Sequence, residues 1–437
     1  MTNDKIRVGI LGCGNVGGAL VRLLDDHAAV IRARAGVPIH VARIAVRNVS
    51  KDRGLDLPDG VLTNDAAAVV ADPDVDVVVE LIGGIEPARS LILDALKLGK
   101  PVITGNKELL ANVGQELFEA AESAGVDLLF EASVAGGIPI MRPLRESLAG
   151  ERIRRVMGIV NGTTNFILTR MTEEGSGFAE ALAEAQSLGF AERDPTADVE
   201  GFDAAAKAAI IASIAFGAKV VAGDVYREGI SQITASDIAA AAHLGYVLKL
   251  LAVAEEIGDA LAVRVHPVMV PSDHPLASVR GSFNAVFVQG AAVGDLMLYG
   301  RGAGGGPTAI AVLGDLIDAA KNVHSGARGA TIGTLAKKRI LPIDEVQSQY
   351  YLTLDVADRP GVLATIAGVF GKHDVSIRSM QQTGPGRDDG ADGVEAKLVF
   401  VTHLAREADL QATIHDVREL EIVRSVGSVL RVIGEEG

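Results

Sequence analysis

Short apolar runs alternate with amphipathic segments through the first third of the chain. The apolar runs predict strands at residues 6–11, 39–47, 75–82, 101–104 and 126–131. Between them, apolar positions recur with a helical period, which predicts helices at 87–98 and 107–124. Repeated strands and helices of this length are typical of a parallel, doubly wound sheet. We therefore expect an α/β domain over residues 1–135.

The pattern changes after Gly136. A strand is predicted at 151–161, followed by a turn and an apolar helix, and Ala-rich helices are predicted at 178–188 and 202–216. The segments 261–270 and 283–299 are typical of antiparallel strands, with a hairpin turn at 290–294. This mixture predicts an α+β second domain over 136–321, whose helix at 307–321 could return to the first domain.

The last part of the chain predicts a further domain. Residues 322–348 are interpreted as a connector. Residues 349–434 then give strand, helix, strand, strand, helix and strand, with a Gly/Asp-rich loop at 384–393. This βαββαβ order is ferredoxin-like.

Composition excludes several classes of partner. The formal charge of −15 and the pI near 5.1 disfavour nucleic acid and anionic membrane surfaces. Cys13 is the one cysteine, so neither an intrachain disulfide nor a thiolate metal cluster can form. The polar start of the chain and the lack of an uncharged apolar run of about 18 residues predict a cytoplasmic protein without a membrane span.

A glycine pattern follows the first predicted strand. Gly12, Gly14 and Gly17 fit G-x-G-x-x-G, and with Asn15 and Val16 they open the first helix. In such turns the first glycine permits a tight bend and the second lets the backbone approach a pyrophosphate. The third permits close packing of helix and strand. The motif predicts a dinucleotide site, and the alternative is a plain glycine-rich turn.

The end of the second strand bears on cofactor choice. Enzymes that use NAD usually have Asp or Glu there to bind the ribose 2′-hydroxyl, but this strand ends at Arg47. An arginine can pair with a 2′-phosphate, so we expect NADP to be preferred, with NAD also possible. The alternative is a solvated surface arginine.

Two lysines are candidates for chemistry. Thr104 and Lys107 follow a predicted strand at the edge where open α/β sheets bind ligands. Lys207 lies in an almost wholly apolar helix, one turn after Asp203, and desolvation there suits proton exchange near neutrality. The alternatives are a surface lysine at a helix start and a solvated Asp–Lys pair worth a few tenths of a kcal/mol.

At this point the chain resembles a known family. The segments GCGNVGG, VELIGG, TGNKELLA, FEASVAGGIPI, NGTTNFIL, residues 189–207 and YGRGAGGGPTA are similar to the successive signatures of homoserine dehydrogenases, over roughly residues 8–310. The resemblance implies that Lys207 is the proton donor and acceptor and that Lys107 lies near cofactor and substrate. It also implies that Glu192 and Asp203 bind substrate and that Gly189 and Gly304 lie near the nicotinamide.

The resemblance further implies a monovalent cation, expected to be Na⁺. Glu131, Val134, Gly136 and Ile138 match the family's cation site, with one carboxylate and three backbone carbonyls as oxygen ligands. Spacing alone predicts only a glycine-rich domain junction here.

The C-terminal module resembles an ACT domain. Residues 352–364 give a strand, a Pro-Gly turn and a helix start, with Asp358 placed to help cap the helix. The resemblance implies an amino-acid effector, which we expect to be threonine, and a homo-oligomer, either dimer or tetramer. The alternative is a module used only for dimerisation.

The expected reaction is reversible reduction of L-aspartate 4-semialdehyde to L-homoserine, in threonine, methionine and isoleucine biosynthesis. Aspartate-semialdehyde dehydrogenase is disfavoured because it needs a thiol nucleophile, and Cys13 lies in the glycine turn. Another NADP-dependent amino-acid dehydrogenase and a non-catalytic NADP or amino-acid sensor remain as alternatives.

Overall fold

The computed structural model describes residues 4–383 and 395–434, so the predicted Gly/Asp-rich loop at 384–393 lies outside the described residues. A parallel sheet is built from β1 (Ile6–Leu11), β2 (Ile39–Ala45), β3 (Leu62–Thr63), β4 (Val77–Glu80), β5 (Val102–Thr104) and β6 (Leu128–Leu129). Its helices are α1 (Asn15–Asp26), α2 (Ala28–Ala35), α3 (Ala66–Ala71), α4 (Ala88–Lys97) and α5 (Lys107–Ala124). The predicted doubly wound sheet is confirmed.

The order of the strands fixes where a ligand can bind. The lateral order is β3-β2-β1-β4-β5-β6, so the direction of winding reverses between β1 and β4. Leu11 at the end of β1 is in register with Ala45 of β2 and with Glu80 of β4. The carboxyl ends of these strands therefore meet at the switch point, where open α/β sheets form their binding crevice.

A mixed sheet with helices on one face follows. It begins with β7 (Ile153–Ile159), and the chain then forms α6 (Gly162–Glu174), α7 (Phe178–Ser187), α8 (Thr196–Val199) and α9 (Phe202–Phe216). Next come β8 (Tyr226–Arg227), α10 (Ala235–His243), β9 (Tyr246–Ile257), β10 (Ala260–Pro271), β11 (Phe283–Gly290) and β12 (Gly294–Arg301). The hairpin predicted near 290–294 is present, since Gly290 pairs with Gly294. Helices α6, α9 and α10 pack on β9.

The helix after β12 runs back to the first sheet. Helix α11 (Gly305–Ser325) buries Ala309, Val312 and Leu316 in one apolar cluster with Leu20 and Val21 of α1. A two-residue strand, β13 (Arg339–Ile340), pairs with β10 in the following connector. The chain thus crosses between the two sheets three times, near Glu131, near Gly302 and in the connector after Ser325.

The C-terminal segment has the predicted βαββαβ order, with one additional two-residue strand before the second helix. Its elements are β14 (Gln347–Ala357), α12 (Val362–Lys372), β15 (Ile377–Thr383), β16 (Glu395–Thr402), β17 (Ala405–Arg406), α13 (Glu407–Arg418) and β18 (Val423–Val432). Strand β18 pairs with β14 and also, in parallel, with β10 through Val268 with Arg431 and Met269 with Val432. The mixed sheet and the antiparallel strands of the C-terminal segment therefore form one continuous sheet, which the sequence pattern does not predict.

In the part of the chain that the structure describes, no helix combines the length and the apolar character needed to cross a membrane.

Candidate active site

The first part of the site is the glycine turn after β1. Gly12 has φ +101°, and a Cβ there would lie 2.6 Å from the Leu81 carbonyl oxygen. A Cβ on Gly17 would lie 2.4 Å from the Gly12 carbonyl oxygen, whereas a Cβ on Gly14 would have no atom within 4 Å. Gly12 and Gly17 are therefore required for packing, and the open face at Gly14 leaves room for a ligand. This cradle, with the start of α1 beside it, fits a dinucleotide pyrophosphate.

A second helix start reaches the same place. Gly304 has φ +118° and precedes α11. A Cβ on Gly305 would lie 3.0 Å from the carbonyl oxygen of Asn15, the first residue of α1. The predicted cofactor residues Gly304, Asn15 and Gly14 are thus brought together, although nearly 300 residues of chain separate them.

A buried carboxylate organises the neighbouring strand ends. Glu80 is fully buried at the end of β4. Its carboxylate accepts hydrogen bonds from Thr104 Oγ1 (2.6 Å), Ile82 N (2.7 Å) and Gly83 N (3.1 Å). The Thr104 hydroxyl in turn accepts from Asn106 N at 3.0 Å. Glu80 was not among the predicted site residues, although an acidic residue at the carboxyl end of an apolar strand can indicate a residue of the binding crevice.

The two candidate lysines share one carboxylate. Lys207 Nζ donates to Asp203 Oδ2 at 2.6 Å and to the Val160 carbonyl oxygen at 2.7 Å. Lys107 Nζ donates to the other oxygen, Asp203 Oδ1. The side chain of Lys207 is 12% exposed and that of Lys107 is 45% exposed. Lys207 is therefore held in a sheltered position, and Lys107 is the more accessible of the two cations.

Asparagine and a second acid complete this cluster. Asn161 Nδ2 donates to Asp203 Oδ2 at 2.9 Å and to Asp198 Oδ1 at 2.7 Å. Neither Asn161 nor Asp198 was among the predicted site residues.

The carboxyl groups of the cluster have opposite pKa shifts. Burial raises the pKa of Asp203, but the charges of Lys207 and Lys107 outweigh burial and hold that pKa well below its usual range. Burial raises the pKa of Asp198, and the hydrogen bond from Asn161 offsets this only in part. Asp203 is therefore the fixed anion of the site.

Three predicted residues lie outside this cluster. Glu192 is exposed on the loop before α8 and, within the described residues, makes no side-chain hydrogen bond to the cluster. Gly189, with φ +76°, lies near the start of α6, since Thr163 Oγ1 donates to the carbonyl oxygen of Phe190. Arg47 is exposed and has no ion-pair partner in residues 4–383 and 395–434, which leaves its guanidinium available to a ligand.

The predicted cation loop has oxygen atoms of the right type. Glu131 is buried, and its Oε1 accepts from Ile140 N and Met141 N while Oε2 accepts from Arg142 N. The carbonyl oxygens of Val134, Gly136 and Ile138 accept no hydrogen bond from the described residues.

These residues fit a hard monovalent cation in donor chemistry. Oε2 of Glu131 and the three carbonyls retain acceptor capacity. The same carboxylate also fixes the backbone at 140–142, so Glu131 has a structural role whether or not a cation binds.

The C-terminal module contains a cavity at its Pro-Gly turn. The cavity has a volume of about 310 Å³ and is lined by residues 356–363 with Gln382 and Leu398. Asp358 Oδ1 accepts a hydrogen bond from Gln382 Nε2 at 3.2 Å across its mouth. One polar side chain from the turn and one from β15 therefore line this cavity, whose volume suits a small polar molecule.

A glycine turn at the switch point of a parallel sheet, with lysines and a carboxylate at the same edge, is the architecture of a dinucleotide-dependent dehydrogenase. Family models described as the homoserine dehydrogenase NAD-binding domain, homoserine dehydrogenase and the ACT domain match residues 12–131, 139–317 and 350–421, respectively. The chain therefore belongs to the homoserine dehydrogenase family.

Known proteins are similar over nearly the whole chain. The homoserine dehydrogenase of Mycobacterium tuberculosis is 50% identical over 441 aligned residues, covering 99% of each chain. The crystal structure of a homoserine dehydrogenase from Thiobacillus denitrificans has a TM-score of 0.90 and 43% identity, covering 98% of each chain. A hyperthermophilic archaeal homoserine dehydrogenase in complex with NADPH has a TM-score of 0.62 and 30% identity, covering 72% of this chain and 97% of its own.

Proposed function

We propose that the chain catalyses the reversible reduction of L-aspartate 4-semialdehyde to L-homoserine, within threonine, methionine and isoleucine biosynthesis. The observation that carries this proposal is the buried Asp203 carboxylate, bonded to both Lys207 and Lys107 at the ligand-binding edge of the parallel sheet. Carbonyl reduction needs a hydride and a proton. A nicotinamide bound at the glycine turn would supply the hydride, and Lys207 would donate its Nζ proton to the forming alkoxide oxygen.

Each residue of the cluster has a distinct task in this proposal. Asp203 helps to orient Lys207 by accepting a hydrogen bond from its ammonium group. The Val160 carbonyl oxygen accepts a second hydrogen bond from the same group at 2.7 Å. Lys107, the more exposed lysine, provides positive charge near the substrate and cofactor. Asp203 and Glu192 are the carboxylates that we assign to the polar groups of homoserine. Glu192 lies outside the cluster, on the exposed loop before α8.

For the cofactor we propose a preference for NADP. Gly12, Gly14 and Gly17 form the cradle for the pyrophosphate, and the exposed Arg47 is the group that would pair with a 2′-phosphate. A related archaeal enzyme forms a complex with NADPH, which agrees with this preference. We also propose Na⁺ at Glu131, Val134, Gly136 and Ile138, where it would brace the crossing between the two sheets.

We further propose feedback by threonine through the ACT module in a homo-oligomer. A physical connection runs from this module to the active site. Arg431 of β18 pairs with Glu407 of α13 through Nη2 (2.8 Å) and with Glu228 through Nη1 (2.8 Å). Glu228 belongs to the segment that follows β8. A displacement of β18 would therefore also act on Glu228, which lies outside the module.

Strand β8 and the segment after it in turn contact α8 and the start of α9. Ile230 N donates to the Val199 carbonyl oxygen at 2.8 Å, and the Arg227 guanidinium lies 3.8 Å from the centre of the Phe202 ring. Phe202 directly precedes Asp203. Effector binding can change activity only if the effector binds one conformation of the protein more tightly than another. We propose that these contacts couple the conformation of the ACT module to the position of Asp203.

One assay tests the proposed function. Homoserine oxidation is followed by absorbance with NAD and with NADP, each with and without threonine. We expect turnover with homoserine, a lower KM for NADP than for NAD, and inhibition by threonine. Absence of homoserine oxidation with either cofactor would refute the activity. Oxidation of another amino acid in its place would favour the alternative dehydrogenase, and cofactor binding without turnover would favour the sensor.

A further inference from the structure

The side chain of Asn161 connects the two acids of the candidate site. Its Nδ2 donates one hydrogen bond to Asp203 Oδ2 (2.9 Å) and one to Asp198 Oδ1 (2.7 Å). Its Oδ1 accepts from Thr164 N at 2.9 Å and so caps the start of α6. Asn161 is 4% exposed. Both hydrogens of the amide and its oxygen are therefore engaged at once.

The orientation of this amide follows from its partners. Ionised carboxylates only accept hydrogen bonds, and a backbone N–H only donates. The NH₂ group must therefore face Asp198 and Asp203, and the carbonyl must face Thr164. No other residue type offers two donors and one acceptor in so short a side chain.

The backbone at the same point holds the lysine. The Val160 carbonyl oxygen accepts from Lys207 Nζ at 2.7 Å. Residues 160 and 161 thus contact Lys207, Asp203 and Asp198 from one side. Because α6 begins immediately afterwards, the end of β7 and the start of α6 form a rigid support for the cluster.

We propose that Asn161 is a positioning residue for the dehydrogenase reaction, one that holds the Asp198 and Asp203 carboxylates at a fixed separation. The inference rests on the proposed function of Lys207 and Asp203. Two neighbouring carboxylates repel each other, and one donated hydrogen bond to each anion offsets that repulsion. Without the amide, Asp203 is free to turn away from Asp198, and Lys207 loses its orientation.

Two substitutions separate positioning from helix capping. Asn161→Asp and Asn161→Ser both keep an oxygen that caps α6 well, but neither offers two donors to the carboxylates. We expect kcat to fall about 10²-fold in both, the loss typical of a misplaced catalytic group, with unchanged affinity for the cofactor measured by fluorescence. The thermal midpoint Tm of Asn161→Ser should change little, because the cap is retained, whereas that of Asn161→Asp should fall at neutral pH because a third carboxylate is buried beside Asp198 and Asp203.

The dependence of kcat on pH should differ between the two variants. The introduced carboxyl of Asn161→Asp is a third anion in the cluster at neutral pH, but once protonated it regains one O–H donor. Its kcat relative to the unsubstituted protein should therefore rise as the pH is lowered, whereas that of Asn161→Ser should not. As a control, Asp65→Ser replaces the cap of α3, whose carboxylate accepts from Ala68 N, and should leave kcat unchanged.

The outcomes are distinct. The positioning role would be overturned if both variants kept the kcat of the unsubstituted protein. It would also be overturned if both lost kcat equally at every pH and Asn161→Ser had a lowered Tm. Full activity of Lys207→Ala would instead overturn the proposed function of the cluster, whatever the Asn161 variants show.

Discussion

A lysine withdrawn from water needs a counter-charge, and for Lys207 that group is Asp203. The i, i+4 spacing on an apolar helix predicts this pair from the sequence alone, and the structure contains it. The further partners, Lys107 and Asn161, come from distant segments. Sequence spacing cannot predict such contacts because they depend on how α5, α6 and α9 pack together.

At the residue scale, two substitutions distinguish whether Lys207 contributes its positive charge or its transferable proton. Lys207→Ala should lower kcat roughly 10²–10⁴-fold, the usual contribution of general acid–base catalysis. Lys207→Arg keeps a charge beside Asp203 but cannot give up its proton, so it should lose activity similarly. Lys219→Ala, an exposed lysine just beyond α9, is the control. If Lys207→Arg kept the kcat of the unsubstituted protein, the reaction would need only the positive charge at this position.

We predict that the choice between NAD and NADP depends on Arg47. The Arg47 guanidinium is exposed at the end of β2 and has no charged partner among the described residues. Arg47→Asp should raise KM for NADP much more than KM for NAD, because it replaces an attraction for the 2′-phosphate with a repulsion. Steady-state kinetics with both cofactors measure the ratio. Equal shifts in the two constants would show that Arg47 does not contact the phosphate.

At the scale of elements, the sequence predicts well where the pattern has a clear period. The strands and helices that were predicted for the parallel sheet are confirmed within a few residues, since each buried run is short and bounded by turns. Elements α2, β3 and α3 were not predicted. Strand β9 has no counterpart among the predicted elements. Its apolar run carries neither a strand nor a helix period, so the pattern leaves both open. Only its pairing with β7 and β10 makes it a strand.

The junction of β1 and α1 gives a prediction about two glycines in one motif. Gly17→Ala would bring a methyl group to 2.4 Å from the Gly12 carbonyl oxygen, so it should displace α1 and lower the Tm of the cofactor-free protein. Gly14→Ala meets no atom within 4 Å and should leave that Tm unchanged.

The two variants should differ once cofactor is added. Gly14→Ala should weaken cofactor binding because its methyl group occupies the path of the pyrophosphate. Calorimetry and a fluorescence titration separate the two effects. If Gly14→Ala binds cofactor normally, the pyrophosphate does not approach this turn.

At the scale of the whole molecule, the main feature is the continuous mixed sheet, which joins the second domain to the C-terminal module. The βαββαβ order of residues 349–434 can be predicted from its pattern, and it suggests an independent unit. The structure instead joins β18 to β10 by the pairs Val268–Arg431 and Met269–Val432. Long-range pairing of this kind leaves no local signal, because both strands are apolar runs that could pair with other neighbours. Regulation is therefore better tested by a point substitution than by removing the module.

Glu228 is the residue to change for that test. It accepts a hydrogen bond from Arg431 Nη1 at 2.8 Å, and the segment that carries it packs against residues 199–202. In Glu228→Ala, Arg431 keeps its bond to Glu407, so the ACT module should stay folded. The active-site cluster is also untouched. We therefore expect kcat without threonine to be unchanged.

The expected change is in the response to threonine. Coupling between sites is typically about 1–3 kcal/mol, or roughly 5–150-fold, so loss of the Glu228 contact should raise the half-inhibitory threonine concentration at least about fivefold. Glu345→Ala is the control, since Glu345 pairs with Arg339 in the connector and has no contact with Arg431 among the described residues. Threonine binding measured by calorimetry should persist in both variants. Unaltered inhibition of Glu228→Ala would mean that the effector acts on the active site by another route, such as a change in subunit assembly.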